Sequence, residues 1–143
     1  MAFDPQTFSL FQDSNFDAYD SGADRYGAVL RAGLDRHGLD LSDVLAVTQD
    51  FGLWAICRSG LFNADLRGIF NKRIEVGEFI PYDQVSSIRQ EPSGPKTGRI
   101  VIEGHGGQEL ARIDFSAGGM ENTPEIAAAH RERIYRILES AVA

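Results

Sequence analysis

Val44-Leu45-Ala46-Val47-Thr48-Gln49, Leu53-Trp54-Ala55-Ile56-Cys57-Arg58 and Leu61-Phe62-Asn63-Ala64-Asp65-Leu66 are three short apolar runs separated by turn residues. Runs of five or six residues rich in β-branched and aromatic side chains are too short for helices and read as strands. Asp50-Phe51-Gly52 and Ser59-Gly60 supply the tight turns between them. The rhythm continues. Ile74 to Ile80 reads as a fourth strand, with Gly77 as a bulge and Pro81 as its end. Val85 to Glu91 reads as a weaker fifth, because only Val85 and Ile88 are apolar. Pro92-Ser93-Gly94-Pro95 is a loop. Arg99 to Glu103 is a sixth strand, and Gly104-His105-Gly106-Gly107 turns the chain into a seventh, Glu109 to Phe115. Seven short strands at regular spacing predict a small barrel or sandwich.

Helices flank these strands. Thr123-Pro124-Glu125 is a helix start: a capping hydroxyl, a proline where no N–H is needed, and an acid in the first turn. The helix is predicted to run to about Ala141, with Ile126, His130, Ile134, Ile137, Leu138 and Ala141 on one stripe. Such a stripe would cap an open barrel end. Before the strands, Ser21 to His37 reads as a helix stopped by Gly38, with Tyr26, Val29, Leu30 and Leu34 on one face. Gly22, Gly27 and Gly33 weaken it by roughly 1 kcal/mol each where interior, so it needs tertiary packing. Residues 1–20 carry Pro5 and no clean periodicity, which predicts an arm without regular structure. Its rings are too apolar for a disordered tail, and Phe8, Phe11, Tyr26, Val29 and Leu30 are expected to be buried on the domain or on a second copy.

The composition narrows function by exclusion. The 143 residues make one domain, in which 14 basic and 21 acidic residues leave a net charge of -7. That argues against a nucleic-acid binder and against a general anionic-membrane binder. Residues 1–43 hold eight Asp and three Arg, so the acidity lies mainly there, and the rest is close to balanced. One cysteine, Cys57, excludes an internal disulfide and any multi-cysteine zinc site. It sits mid-strand and is expected to be a small core residue. No secretory signal or membrane span is visible, so a cytoplasmic protein is expected. His37, His105 and His130 lack metal-ligand spacing, and no nucleophile, acid–base pair or phosphate loop stands out. Neither metal nor cofactor is expected.

The stretch Phe79-Ile80-Pro81-Tyr82-Asp83-Gln84-Val85-Ser86-Ser87-Ile88 resembles a segment of bacterial pleckstrin-homology-like (PH-like) domains, in which a Pro-Tyr corner redirects one strand into the next. Thr97 to Ile102 and Ile113-Asp114-Phe115 are similar to later strands of that family. The resemblance covers about residues 44–143. It implies a mainly β fold, a seven-stranded PH-like barrel or sandwich capped by a C-terminal helix and here preceded by an N-terminal helix. The organisation is then an arm (1–20), a helix with its connection (21–43) and a PH-like domain (44–143).

The fold does not fix function. Lipid-binding members carry a basic motif around their first hairpin, whereas here that loop is Gln49-Asp50-Phe51-Gly52 with only Arg58 nearby. The expectation is a non-enzymatic interaction module that binds a protein or peptide partner or self-associates. Its working surface is placed in the groove between the fifth strand and the last helix, with Val85, Ser87 and Arg89 facing His130 and Ile134. The alternatives are weak anionic-headgroup binding at a membrane surface through Arg67, Lys72 and Arg73, with Lys96 and Arg99 nearby, and a small-ligand barrel protein or enzyme.

Overall fold

The structure is a computed structural model that describes residues 5–12, 14, 22–50, 52–68, 70–93, 97–116 and 123–143. The chain forms two compact units, Met1–Phe79 and Ile80–Ala143.

The first unit contains helices α1 (Pro5–Gln12) and α2 (Gly22–His37), a 3-10 turn (Leu41–Asp43), and strands β1 (Val44–Gln49), β2 (Leu53–Cys57), β3 (Gly60–Arg67) and β4 (Arg73–Val76). The strands pair antiparallel in sequence order. Ala55 pairs with Val47 on one side and Phe62 on the other. The β1–β2 turn needs glycine: Gly52 has φ 119°, and a Cβ there would lie 2.8 Å from the Ala64 carbonyl oxygen. All five residues of β2 are buried. Leu53, Ala55 and Cys57 join Val44, Val47, Phe62 and Ala64 beneath Phe11, Val29, Leu30 and Leu34 of the helices.

Helix α2 ends as Gly38 foretold. Gly38 takes φ 66°, the Leu39 amide donates to the Leu34 carbonyl at 2.8 Å, and the Gly38 amide donates to that of Asp35 at 3.3 Å. This is a Schellman closure. His37, in the last turn, packs its ring 5.1 Å from that of Phe62 and 5.7 Å from that of Phe79, with Nε2 2.9 Å from the Gly77 carbonyl oxygen.

Two expectations for this unit need correction. The arm contains a regular element, α1. Pro5 sits in its first turn, where a missing N–H costs nothing. The buried pair is Thr7 and Phe11, one helical turn apart, so a polar residue interrupts the apolar pattern. A helix of eight residues is too short to hold alone, and α1 packs on α2 and β1. Of the residues expected to be buried, Phe11, Val29 and Leu30 are, Tyr26 is partly so, and the side chain of Phe8 lies outside the described residues. The fourth strand also stops at Val76, with no bulge at Gly77. The Gly77 amide donates to the Asn63 carbonyl at 2.6 Å, and the Asn63 side chain fills the space a Cβ would need.

The second unit holds the two-residue strand β5 (Ile80–Pro81), a 3-10 turn (Tyr82–Gln84), strands β6 (Val85–Ser93), β7 (Thr97–Gly104) and β8 (Glu109–Ser116), and helix α3 (Pro124–Val142). Strands β6, β7 and β8 form a second antiparallel sheet in that order. Gly104 to Gln108 closes the β7–β8 hairpin, with the Gly104 amide donating to Gln108 at 2.8 Å. Thr123 caps α3, its Oγ1 accepting from the Ile126 amide at 3.2 Å. The Ser116 to Asn122 connection lies almost wholly outside the described residues.

The fold is therefore mainly antiparallel β, in two sheets with a C-terminal helix and N-terminal helices. No closed barrel forms among the described residues, and the expected strand Ile74 to Ile80 breaks after Val76. Helix α3 packs on β6, β7 and β8 and on the Tyr82–Gln84 turn, so it covers a sheet face where a barrel end was expected. Its buried residues are Ala127, Ile134 and Leu138. Ile126, placed on the stripe from sequence, is 52% exposed. No helix among the described residues is long and apolar enough to cross a membrane.

Candidate binding surface at strand β6 and helix α3

Strand β6 is an edge strand, and its alternation decides which side chains meet α3. Gln90 pairs with Ile100 and Ile88 with Ile102; across β7 these face Ile113 and Ala111. This is the helix-covered face. Gln90 Nε2 donates to Glu132 Oε2 at 2.7 Å, and Arg131 Nε donates to Gln90 Oε1 at 3.0 Å. On the same face, the Phe115 ring lies 5.6 Å from that of His130. Arg136 Nε donates to the other Glu132 oxygen at 2.9 Å. The hydrogen bonds from Gln90 and then from Arg136 hold the Glu132 carboxyl below its ordinary range. Tyr135 Oη lies 3.5 Å from the Ile88 carbonyl oxygen, at the outer limit of a hydrogen bond. A polar clasp thus ties the flank of α3 to the edge strand.

The five residues expected around this groove do not share one face. A β-bulge sits between Val85 and Ser87: Val85 pairs with Gly104 and Ser87 with Glu103, leaving Ser86 without an opposite number. The extra residue reverses the phase of the alternation. Val85 therefore joins the face of Ile100 and Ile102 and is buried, as are Ile134 and the greater part of His130. Ser87 and Arg89 point to the opposite face. There Arg89 Nε lies 2.8 Å from Glu91, and its guanidinium also pairs with Glu103. Arg99 lies 3.6 Å from Asp114 and 4.0 Å from Glu91, and Arg112 lies 2.8 Å from Glu109. The face away from α3 is thus a lattice of alternating charges in which Arg89 is already engaged. Partly exposed pairs of this kind contribute roughly 0–1 kcal/mol each.

The sequence placed Arg131 and Glu132 off the helix stripe and did not single out Gln90 or Tyr135. The one available signal was Gln90 itself, an amide at a position whose alternation with Ile88 is that of an inward side chain.

The histidines are held by structure. Burial, with Arg133 nearby, lowers the pKa of His130 to about 4, so it is neutral at pH 7. His105 Nε2 lies 2.9 Å from the Asp83 carbonyl oxygen. Cys57 is buried, and burial, with Asp43 adding to it, pushes its thiol up to about 12. Such a thiol stays protonated and unreactive at neutral pH. Among the described residues, no group of three or more His, Cys, Asp or Glu could hold a metal ion.

The basic residues Arg67, Lys72 and Arg73 come together at the end of the β3–β4 hairpin. Arg67 and Arg73 are register partners. Arg67 lies 3.5 Å from Asp65 and 3.6 Å from Glu75, and Arg73 lies 3.0 Å from Glu75. Of the other cations considered with them, Lys96 lies outside the described residues, and Arg99 belongs to the charge lattice of the second sheet.

No protein-family model matches the chain, and no curated protein matches it.

Proposed function

We propose that the protein is a non-enzymatic PH-like interaction module that binds an extended peptide segment of a protein partner along β6, beside α3. The observation that carries this reading is a nine-residue edge strand whose flank is clasped to a helix by Gln90, Arg131 and Glu132. An edge strand offers backbone donors and acceptors to an added strand, and a helix lying alongside offers side chains that select sequence. The arrangement of a four-strand meander, a three-strand meander and a C-terminal helix agrees with the PH-like resemblance of Phe79 to Ile88.

Exposed Ser86, Ser87 and Arg89 would meet the added strand on the face away from α3, and Glu132, Tyr135 and Arg136 on the helix side. His130 and Ile134 then support the sheet beneath the site. The test is selection of peptides from an unbiased displayed library against the full chain, followed by amide exchange on the complex. Protection concentrated in residues 85–93 and weakened by Tyr135→Ala is the expected result. Selected peptides that protect other segments and leave β6 unchanged would refute it.

A further inference from the structure

Phe70 is 96% exposed, the most solvated large apolar side chain among the described residues. It sits at the tip of the β3–β4 hairpin, beyond the last register pair, Arg67 with Arg73. The nine residues Leu66-Arg67-Gly68-Ile69-Phe70-Asn71-Lys72-Arg73-Ile74 contain three cations and no acid. Behind the arginines come Leu66 opposite Ile74, and behind those Asp65 opposite Glu75. By strand alternation, Asp65, Arg67, Arg73 and Glu75 share one face of the hairpin, and Leu66 shares the other with Ile74, itself 37% exposed.

We propose that this tip docks on an anionic lipid bilayer, with Phe70 entering the interfacial region and Lys72, Arg73 and Arg67 meeting the headgroups. This site is independent of the β6–α3 reading. Charge complementarity selects the occupant. A solvated aromatic flanked in the chain by cations suits a surface that is apolar below and negative above. The chain's net charge of -7 opposes general attraction to such a surface, so the attraction has to come from a local basic cluster, which the tip supplies. Asp65 and Glu75 sit two residues behind the arginines on the same face of the hairpin. They also draw Arg67 and Arg73 back through contacts of 3.0–3.6 Å, so Lys72 presents its charge most freely and Glu75 opposes docking.

The experiment is vesicle co-sedimentation of the full chain on phosphatidylcholine alone and on phosphatidylcholine with 30 mol% phosphatidylserine, at low and high salt. Partitioning should require phosphatidylserine and fall with salt. Phe70→Ser should lower it roughly ten- to a hundredfold, the value of burying one such ring. Lys72→Glu should lower it roughly tenfold or more, and Glu75→Gln should raise it, all with unchanged melting temperature. Absence of binding to phosphatidylserine vesicles at low salt would overturn the proposal. So would equal binding to neutral vesicles, or Phe70→Ser shifting the oligomeric state in solution while leaving partitioning alone, which would assign the tip to a second copy of the chain.

Discussion

Gly33 lies in the interior of α2, where replacement by alanine should favour the helix by about 1 kcal/mol. The tertiary structure reverses that gain. A Cβ on Gly33 would run into the edge of the Phe62 ring, which is fully buried and backed by the His37 ring at 5.1 Å. The ring has little room to retreat, and overpacking of this kind costs about 1–3 kcal/mol. Gly33→Ala should therefore come out destabilised, by about 1 kcal/mol or somewhat more, a fall of about 2–4 °C in melting temperature for a chain of this size. Gly27 is the internal control. It lies in the same helix, and a Cβ there would sit 3.5 Å from Thr7 Cγ2, an ordinary contact. Gly27→Ala should stabilise by up to about 1 kcal/mol. Urea unfolding followed by circular dichroism measures both. The reasoning fails if Gly33→Ala raises the midpoint at constant slope, or if the two variants shift alike.

Ile134 is a fully buried residue of α3, so Ile134→Asp should cost several kcal/mol; a wild-type melting temperature would show that α3 does not secure the β6–β8 sheet. His130 titrates near 4 when folded and near 6.5 when unfolded, so the unfolded chain binds the extra proton between those values. Its contribution is complete above pH 6.5 and is lost as pH falls toward 4, and urea midpoints measured across that window should vary less in His130→Gln. The Cys57 thiol should resist alkylation at pH 8 in the folded chain and react only on denaturation. Removing residues 1–43 strips Phe11, Val29, Leu30 and Leu34 from the core, so the remainder should bind a hydrophobic dye or associate, as dye fluorescence and light scattering would report.

Most strands were legible because they carry their own signal, two-residue alternation or an apolar run bounded by Gly, Pro, Asp or Ser; the exception is Ile74 to Ile80, which divides into β4 and β5. β1 begins and ends where the pattern of Val44 to Gln49 does, and Thr123-Pro124 marks the start of α3. What stayed hidden depends on tertiary contacts. Helix α1 escaped because its buried face includes Thr7, a polar residue that a search for apolar periodicity passes over. Ile126 satisfies helical spacing yet is 52% exposed, so periodicity alone could not place it. The β6–α3 neighbourhood was legible as a juxtaposition of elements, but the face of Ser87 and Arg89 was not. The bulge at Ser86 has no glycine to announce it and is defined by the partner strand, which sequence reading along β6 does not see.

That bulge makes β6 a strand with two reading frames. Val85, before Ser86, faces the α3 side on an odd number, and Ile88 and Gln90, after it, do so on even numbers. Deleting Ser86 would remove the bulge but not the facing of the side chains: Val85 opposite Gly104 would directly precede Ser87 opposite Glu103, with Val85, Ile88 and Gln90 still toward α3. A substitution at Ser86 disturbs neither. Length, rather than side-chain identity, is what this position encodes: losing one residue here would straighten the ladder and keep both faces of the sheet as they are.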